Sequence, residues 1–192
     1  MKFKPSRFVY DYIINRKTMA IVPVLTVDNR ILSGILEEED TLIALPRPYE
    51  VVDQSCRFHG SSFEGRKEGT RELIGITHKA PIAISSTESL YFLSTLSYTR
   101  RECSWISHFH VTNTKATPHN NVLITFMNGQ SFEVGISKTS FDTLLYRTAH
   151  LRSESEDRQK RKLLQVSRTV NKQDLPQLAS EPMYPYKAKW ET

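Results

Sequence analysis

One constellation of this chain could hold a metal: Cys56, His59, His78, Cys103, His108 and His110. Thiolate and imidazole are the usual zinc ligands, and four of them close a tetrahedron. The spacing argues against it. Cys56 and His59 stand at a usable ligand separation, but Cys103 has no second cysteine nearby. A strand would point His108 and His110 to the same face, and one CxxH remains a weak pattern. The plainer reading is two buried thiols and ordinary histidines. A zinc protein or zinc enzyme is the minor alternative, and no metal or other cofactor is expected. Covalent catalysis is no better served. No GxSxG surrounds Ser61 or Ser62. Glu64 and Glu68 would share a helical face, yet Arg66 and Lys67 surround them and make a solvated charged turn. The run GSSFEG lacks the order GxxxxGK[ST], and no GxGxxG occurs. The chain does not read as an enzyme.

What remains is anion chemistry. The stretch SCRFHGSSFEGRKEGT, Ser55 to Thr70, sets small residues beside Arg57, Arg66 and Lys67, with Arg71 just beyond. Small residues let backbone N–H groups approach an anion, and the cations neutralise phosphates. The competing reading of each cation is a solvated side chain, and of Arg57 an ion pair with Asp53. The formal net charge of +5 and pI of about 9.2 favour anionic partners such as nucleic acid or acidic headgroups. Hydrophobic residues make up 39% of the 192, enough for a real core. No apolar run is long enough to span a bilayer, and no secretory signal is visible. The expectation is a reduced cytosolic protein with two thiols and no membrane partner.

The elements that must position these cations read as α+β: short antiparallel strands and hairpins, one or two packed helices, and a basic C-terminal tail. Met19 to Thr26, Ile31 to Leu36 and Thr41 to Leu45 suit strands, with Asp28-Asn29 marking a turn. The prolines at 46 and 48 suggest an extended connection. Residues 53–70, punctuated by Gly60, Gly65 and Gly69, read as a long ordered loop with one turn of helix near Phe63 to Lys67. Leu73 to Thr77, Pro81 to Ser85, Leu90 to Leu93 and Trp105 to Val111 are strand candidates. VLITFMNGQSFEVGIS, from Val122, is a hairpin turning at Asn128-Gly129, with Val122, Ile124 and Phe126 on one face. A helix follows from about Ser140 to Leu151, capped by Thr139 or Ser140, with Phe141, Leu144, Leu145 and Leu151 on the stripe that packs into the core or a dimer mate. From Arg147 to Lys172 eight cations face three acids. The expected division is a DNA-binding core over 1–153 and a mobile, basic, proline-containing tail over 154–192.

Several segments together resemble the ComK family of bacterial competence transcription factors: DQSCRFHGSSFEGRKEGT with ITHKAPI from Ile76, FLSTLSYTRRECSWISHFHV from Phe92, the hairpin segment, and SFDTLLYRTAHLRS from Ser140. The resemblance covers about Tyr49 to Ser153 and is looser from Thr18. It implies an activator of DNA-uptake genes in Bacillus-like bacteria, in the cytoplasm and at the nucleoid. Its members bind double-stranded DNA at AT-rich boxes through the minor groove as a dimer or higher oligomer, and aid RNA polymerase. The candidate DNA contacts are Arg57, Arg66, Lys67, Arg71, Lys79, Arg100 and Arg101. An adaptor and a Clp protease are family partners that engage an FMLYP-type segment, where this chain has EPMYPY from Glu181. His59, Leu93, Ser94, Glu102 and His150 also depart from the family pattern, and none of them removes one of those cations. A diverged paralogue acting as a protein-interaction module is the alternative.

Overall fold

The computed structural model describes residues 5–166, with side chains to residue 162. Among the described residues two sheets and three helices form the fold, as expected for α+β. The first compact unit spans Met1–Asp157 and a second begins at Arg158. A seven-stranded sheet runs in the order β1-β4-β3-β2-β7-β6-β5, with β1 at Arg7–Val9, β2 at Thr18–Leu25, β3 at Ile31–Glu37 and β4 at Thr41–Ala44. Its other strands are β5 at Ile82–Ser85, β6 at Leu90–Ser94 and β7 at Trp105–Ser107. The pairs are antiparallel except β1 with β4. A three-stranded sheet holds β8 (Val111–Ala116), β9 (Val122–Phe126) and β10 (Ser131–Val134).

The large sheet is buried on both faces, so its strands read as nearly unbroken apolar runs. Alternation still sorts them. Ile21, Ile35, Phe92 and Trp105 face the helices α1 (Pro48–Phe58) and α2 (Phe63–Ile74). Their neighbours Val22, Leu36, Leu93 and Ile106 face β9, β10 and α3 (Lys138–Val166). The result is three layers: two helices, the large sheet, and the small sheet with α3.

The hairpin forms at the expected place. Val122, Ile124 and Phe126 are buried together. Only Gly129 takes a positive φ, at 80°; Asn128 stays on the ordinary side and accepts from Gln130 N at 3.0 Å. The turn is therefore a three-residue loop with glycine at its left-handed position.

Residues 53–70 differ from expectation. They are helical, with Pro48 at the first turn of α1, where its missing N–H is no loss. Gly60, at φ 81°, separates α1 from α2. Ser62 accepts from Gly65 N at 3.1 Å, and Asp53 accepts from Phe63 N at 2.9 Å, so the exposed donors of α2 are satisfied from two sides. Gly65 and Gly69 lie inside α2, where packing of Phe63 and Thr70 outweighs their poor helix propensity. The strand expected from Leu73 is instead the end of α2, closed by Gly75 at φ 71°.

The third helix is also longer than its apolar stripe. Ser137, not Thr139 or Ser140, accepts at its start, from Ser140 N at 3.2 Å. The charge-dense run after Arg152 continues the helix because it holds neither proline nor glycine and pairs Arg152 with Glu156 at i,i+4. Residues 167–192, with the EPMYPY segment and most of the expected tail, lie outside the described residues.

Candidate nucleic-acid interface

The seven expected DNA-contacting cations separate into two groups. Arg57, on α1, donates from Nε to Asp53 at 2.7 Å, and the carboxylate beside it raises its pKa. This is the ion-pair reading of Arg57 set out from the sequence. Arg66, on α2, is half-buried, and its Nη2 donates to the His59 carbonyl at 2.8 Å, tying down the end of α1. Neither is among the side chains that line the basic recesses.

Four of the other five line recesses that share Tyr98, and Arg71 lies next to Lys67 beyond them. The loop between β6 and β7 is pinned at its base by Thr95 N to Ser104 O at 2.9 Å and Ser104 N to Thr95 Oγ1 at 3.0 Å. It then turns, with Arg100 N donating to Ser97 O, and leaves Arg100 and Arg101 exposed. Both line a recess of about 240 Å³ against the first turn of α1, where Arg47, Tyr49 and Trp105 complete the wall. On the other side of Tyr98 and Trp105 lies a second recess of about 100 Å³, lined by Lys67 and Lys79. Lys79 sits at φ 48° in the connection from α2 to β5, which Thr70 Oγ1 anchors to Pro81 O at 3.0 Å. Lys67 lies 4.9 Å from the centre of the Tyr98 ring and bonds Glu64 at 3.0 Å, which raises its pKa. It also shares a third concavity with Arg71.

Aromatic packing makes this platform stiff. Tyr98 stacks on Tyr49 at 5.5 Å between ring centres and lies 4.9 Å from Phe63, which meets Trp105 edge-on at 5.7 Å. Arg47 is the cation that sequence reasoning missed. The signal was the pair Arg47-Pro48, which marks a helix start once α1 is recognised. Among the described residues, Arg47, Arg71, Lys79, Arg100 and Arg101 have no carboxylate partner.

The zinc alternative has no geometry. Among the described residues no three His, Cys, Asp or Glu side chains gather as ligands. Burial pushes the thiols of Cys56 and Cys103 up to about 12 and about 11. His110 is buried and bonds Ser107 Oγ at 2.8 Å and Glu38 Oε1 at 3.1 Å, while burial, aided by Arg152, lowers the pKa of His108. The core residues expected on α3 are at hand: Phe141 and Leu144 are buried and Leu145 half-buried against the small sheet, and Leu151 packs on Ala83 and Tyr91. Among the described residues no helix is long and apolar enough to cross a membrane.

A family model described as ComK protein matches residues 9–160. The chain belongs to the ComK family. The competence transcription factor of Bacillus subtilis (strain 168) is similar to it, 43% identical over 158 residues that cover 82% of this chain and 82% of that protein. No solved structure matches. The ComK-family match takes in all of the basic recesses and ends within α3.

Proposed function

We propose that this chain is a DNA-binding transcription factor of the competence type. Arg47, Lys67, Arg71, Lys79, Arg100 and Arg101 grip duplex phosphates across the Tyr98 platform. The observation that carries the reading is the convergence of Arg47, Lys67, Lys79, Arg100 and Arg101 on one rigid aromatic ledge, four of them without a carboxylate partner among the described residues, with Arg71 beside Lys67 in the adjoining concavity. Family membership and the name of the similar protein point the same way. Phosphate pairing supplies affinity that falls steeply with salt. Preference for AT-rich boxes, read through groove shape, and assembly into dimers or larger oligomers on paired boxes follow the family resemblance. So do activation through RNA polymerase and control by an adaptor and a Clp protease. The work rests in residues 1–153, with 154–192 as an appended basic segment.

A gel-shift titration against a paired AT-box fragment and a shuffled GC-rich fragment, at two salt concentrations, tests this. Tighter retardation of the AT-box fragment at both salts is expected. Arg100→Ala and Arg101→Ala should each weaken binding by up to about tenfold and reduce the salt slope by about 1. Arg57→Ala should leave both nearly unchanged. Equal, salt-sensitive retardation of both fragments removes the claim of selectivity, and loss on Arg57→Ala alone moves the interface off the platform.

A further inference from the structure

The large sheet ends in two unlike edges. At one end all four residues of β5 are buried. At the other, β1 pairs with β4 on one side and, among the described residues, with no strand on the other. Leu45 N donates to the Val9 carbonyl at 3.1 Å. Val9 therefore turns its backbone groups toward β4, and Phe8 and Tyr10 turn theirs outward. An open row of backbone donors and acceptors is a template for a further strand. The side chains along it are apolar: Phe8 is 69% and Tyr10 87% exposed, and Leu45 beside Val9 is exposed as well.

The residues of this edge complement themselves. Take Arg7-Phe8-Val9-Tyr10-Asp11 against a second copy running the other way about Val9. Arg7 then meets Asp11 twice, Phe8 meets Tyr10 twice, and Val9 meets its own copy. Opposite charges and aromatic pairs facing each other across strands are favourable. A register centred on Phe8 would instead set Arg7 against Val9 and leave the charges unmatched. Asp11 is exposed and has no polar partner among the described residues. Arg7 is exposed and lies 3.6 Å from Asp40, so it can bridge two carboxylates. Tyr12 is buried and ends the stretch that a partner can reach.

We propose that β1, extended to Asp11, is the edge at which two copies of this chain join. They run antiparallel about a two-fold axis at Val9, so that two seven-stranded sheets become one. The inference deepens the assembly reading of the proposed function and rests on it, by giving that assembly a surface and a register. The contact itself does not need DNA. Five residues a side make a small interface, so the free dimer is weak, with a Kd on the order of micromolar. Two boxes on one duplex hold both copies at high local concentration and tighten it.

The test uses the full chain without DNA, by sedimentation and by cross-linking. At the axis the two Val9 residues form a non-hydrogen-bonded pair, with Cα atoms about 4.5 Å apart, within disulfide range. Val9→Cys should form a covalent dimer under mild oxidation. Phe8→Cys should form little, because its own copy lies diagonally, about 7–8 Å away. Cys56 and Cys103 are buried, and the parent chain measures their background. Asp11→Arg and Arg7→Asp each set like charges face to face, and each should weaken self-association about tenfold. An equimolar mixture of the two variants should recover it, since each then meets the opposite charge; mixing cannot repair a folding defect. More cross-linking in Phe8→Cys than in Val9→Cys, or no recovery in the mixture, overturns this register. A parent that stays monomeric up to about 100 µM, with no cross-link in Val9→Cys, overturns the interface and leaves the edge to another segment of the chain or another partner. Gel shifts keep the two readings apart. A dimer that retards neither fragment overturns the DNA reading and leaves the interface. Undiminished cooperative binding of Asp11→Arg to paired boxes overturns the role of this interface on DNA.

Discussion

Arg66 works inside the protein, although the sequence places it among the DNA contacts. Its Nη2 holds the carbonyl of His59, the residue that caps the end of α1, and its Nε is buried without a partner. Truncating it frees that carbonyl and opens space beside Cys56, so Arg66→Ala should lower stability by about 1–2 kcal/mol in urea titration. A DNA-binding loss in that variant would therefore report unfolding unless stability is measured alongside. Asp53 is the second internal ion. Burial works against its ionisation, but Arg57 and the Phe63 N–H outweigh it and bring the carboxyl below the ordinary range. A group depressed in the folded state adds stability that is present above its unfolded pKa of about 3.9 and is lost as pH falls through the folded value. Asp53→Asn should be less stable than the parent at neutral pH and should lose less between pH 5 and pH 3, read as urea midpoints. The Arg57 pairing was legible, because Asp53 and Arg57 stand four apart. The Arg66 contact was not, because its partner is a backbone carbonyl seven residues away that only the Gly60 turn brings within reach.

At the scale of elements, the strands and the hairpin were legible because apolar and β-branched runs end in turn residues. The helices α1 and α2 were hidden by three glycines. Gly60 does break the chain, but Gly65 and Gly69 sit within α2 and carry no turn. They differ in surroundings. A Cβ on Gly69 would meet nothing within 4 Å, whereas one on Gly65 would stand 2.9 Å from Ser61 Oγ and 3.4 Å from the capping Ser62 Oγ. Gly69→Ala should raise stability by about 0.5–1 kcal/mol. Gly65→Ala should gain less or lose, because it disturbs the cap. Thermal melts of the two single variants check the contrast. The interface itself was half legible. Five of its cations were visible as residues, but the clustering of four of them with Arg47 at Tyr98 depends on a loop, a helix start and the connection from α2 to β5, far apart in sequence.

For the molecule as a whole, the two sheets are joined by a small polar latch. His110 bonds Ser107 and Glu38, Met127 N donates to the His110 carbonyl at 2.9 Å, and Asn128 Nδ2 donates to the Glu38 carbonyl at 2.8 Å. Glu38 directly follows β3 in the turn to β4 of the large sheet, and Met127-Asn128 is the turn of the small one. Removing the imidazole leaves buried Ser107 without that partner. His110→Ala should cost about 2–3 kcal/mol. Hydrogen exchange should locate the loss: amides of β9 and β10 are expected to exchange faster, while those of β2 and β3 keep their protection. Uniform loss across both sheets would mean that the latch is not specific to their junction.

The place of β2 has a consequence for synthesis. It bonds β3 within the same early hairpin, but its other edge is closed by β7, with Ile21 opposite Trp105. While a ribosome makes the chain, the early strands therefore emerge with an open, apolar edge that waits for residues made much later. The growing chain is exposed to wrong pairing throughout that interval. A cell that makes this protein in a sudden burst would then hold many half-built sheets at once, and its chaperone supply would limit how quickly the finished regulator can accumulate.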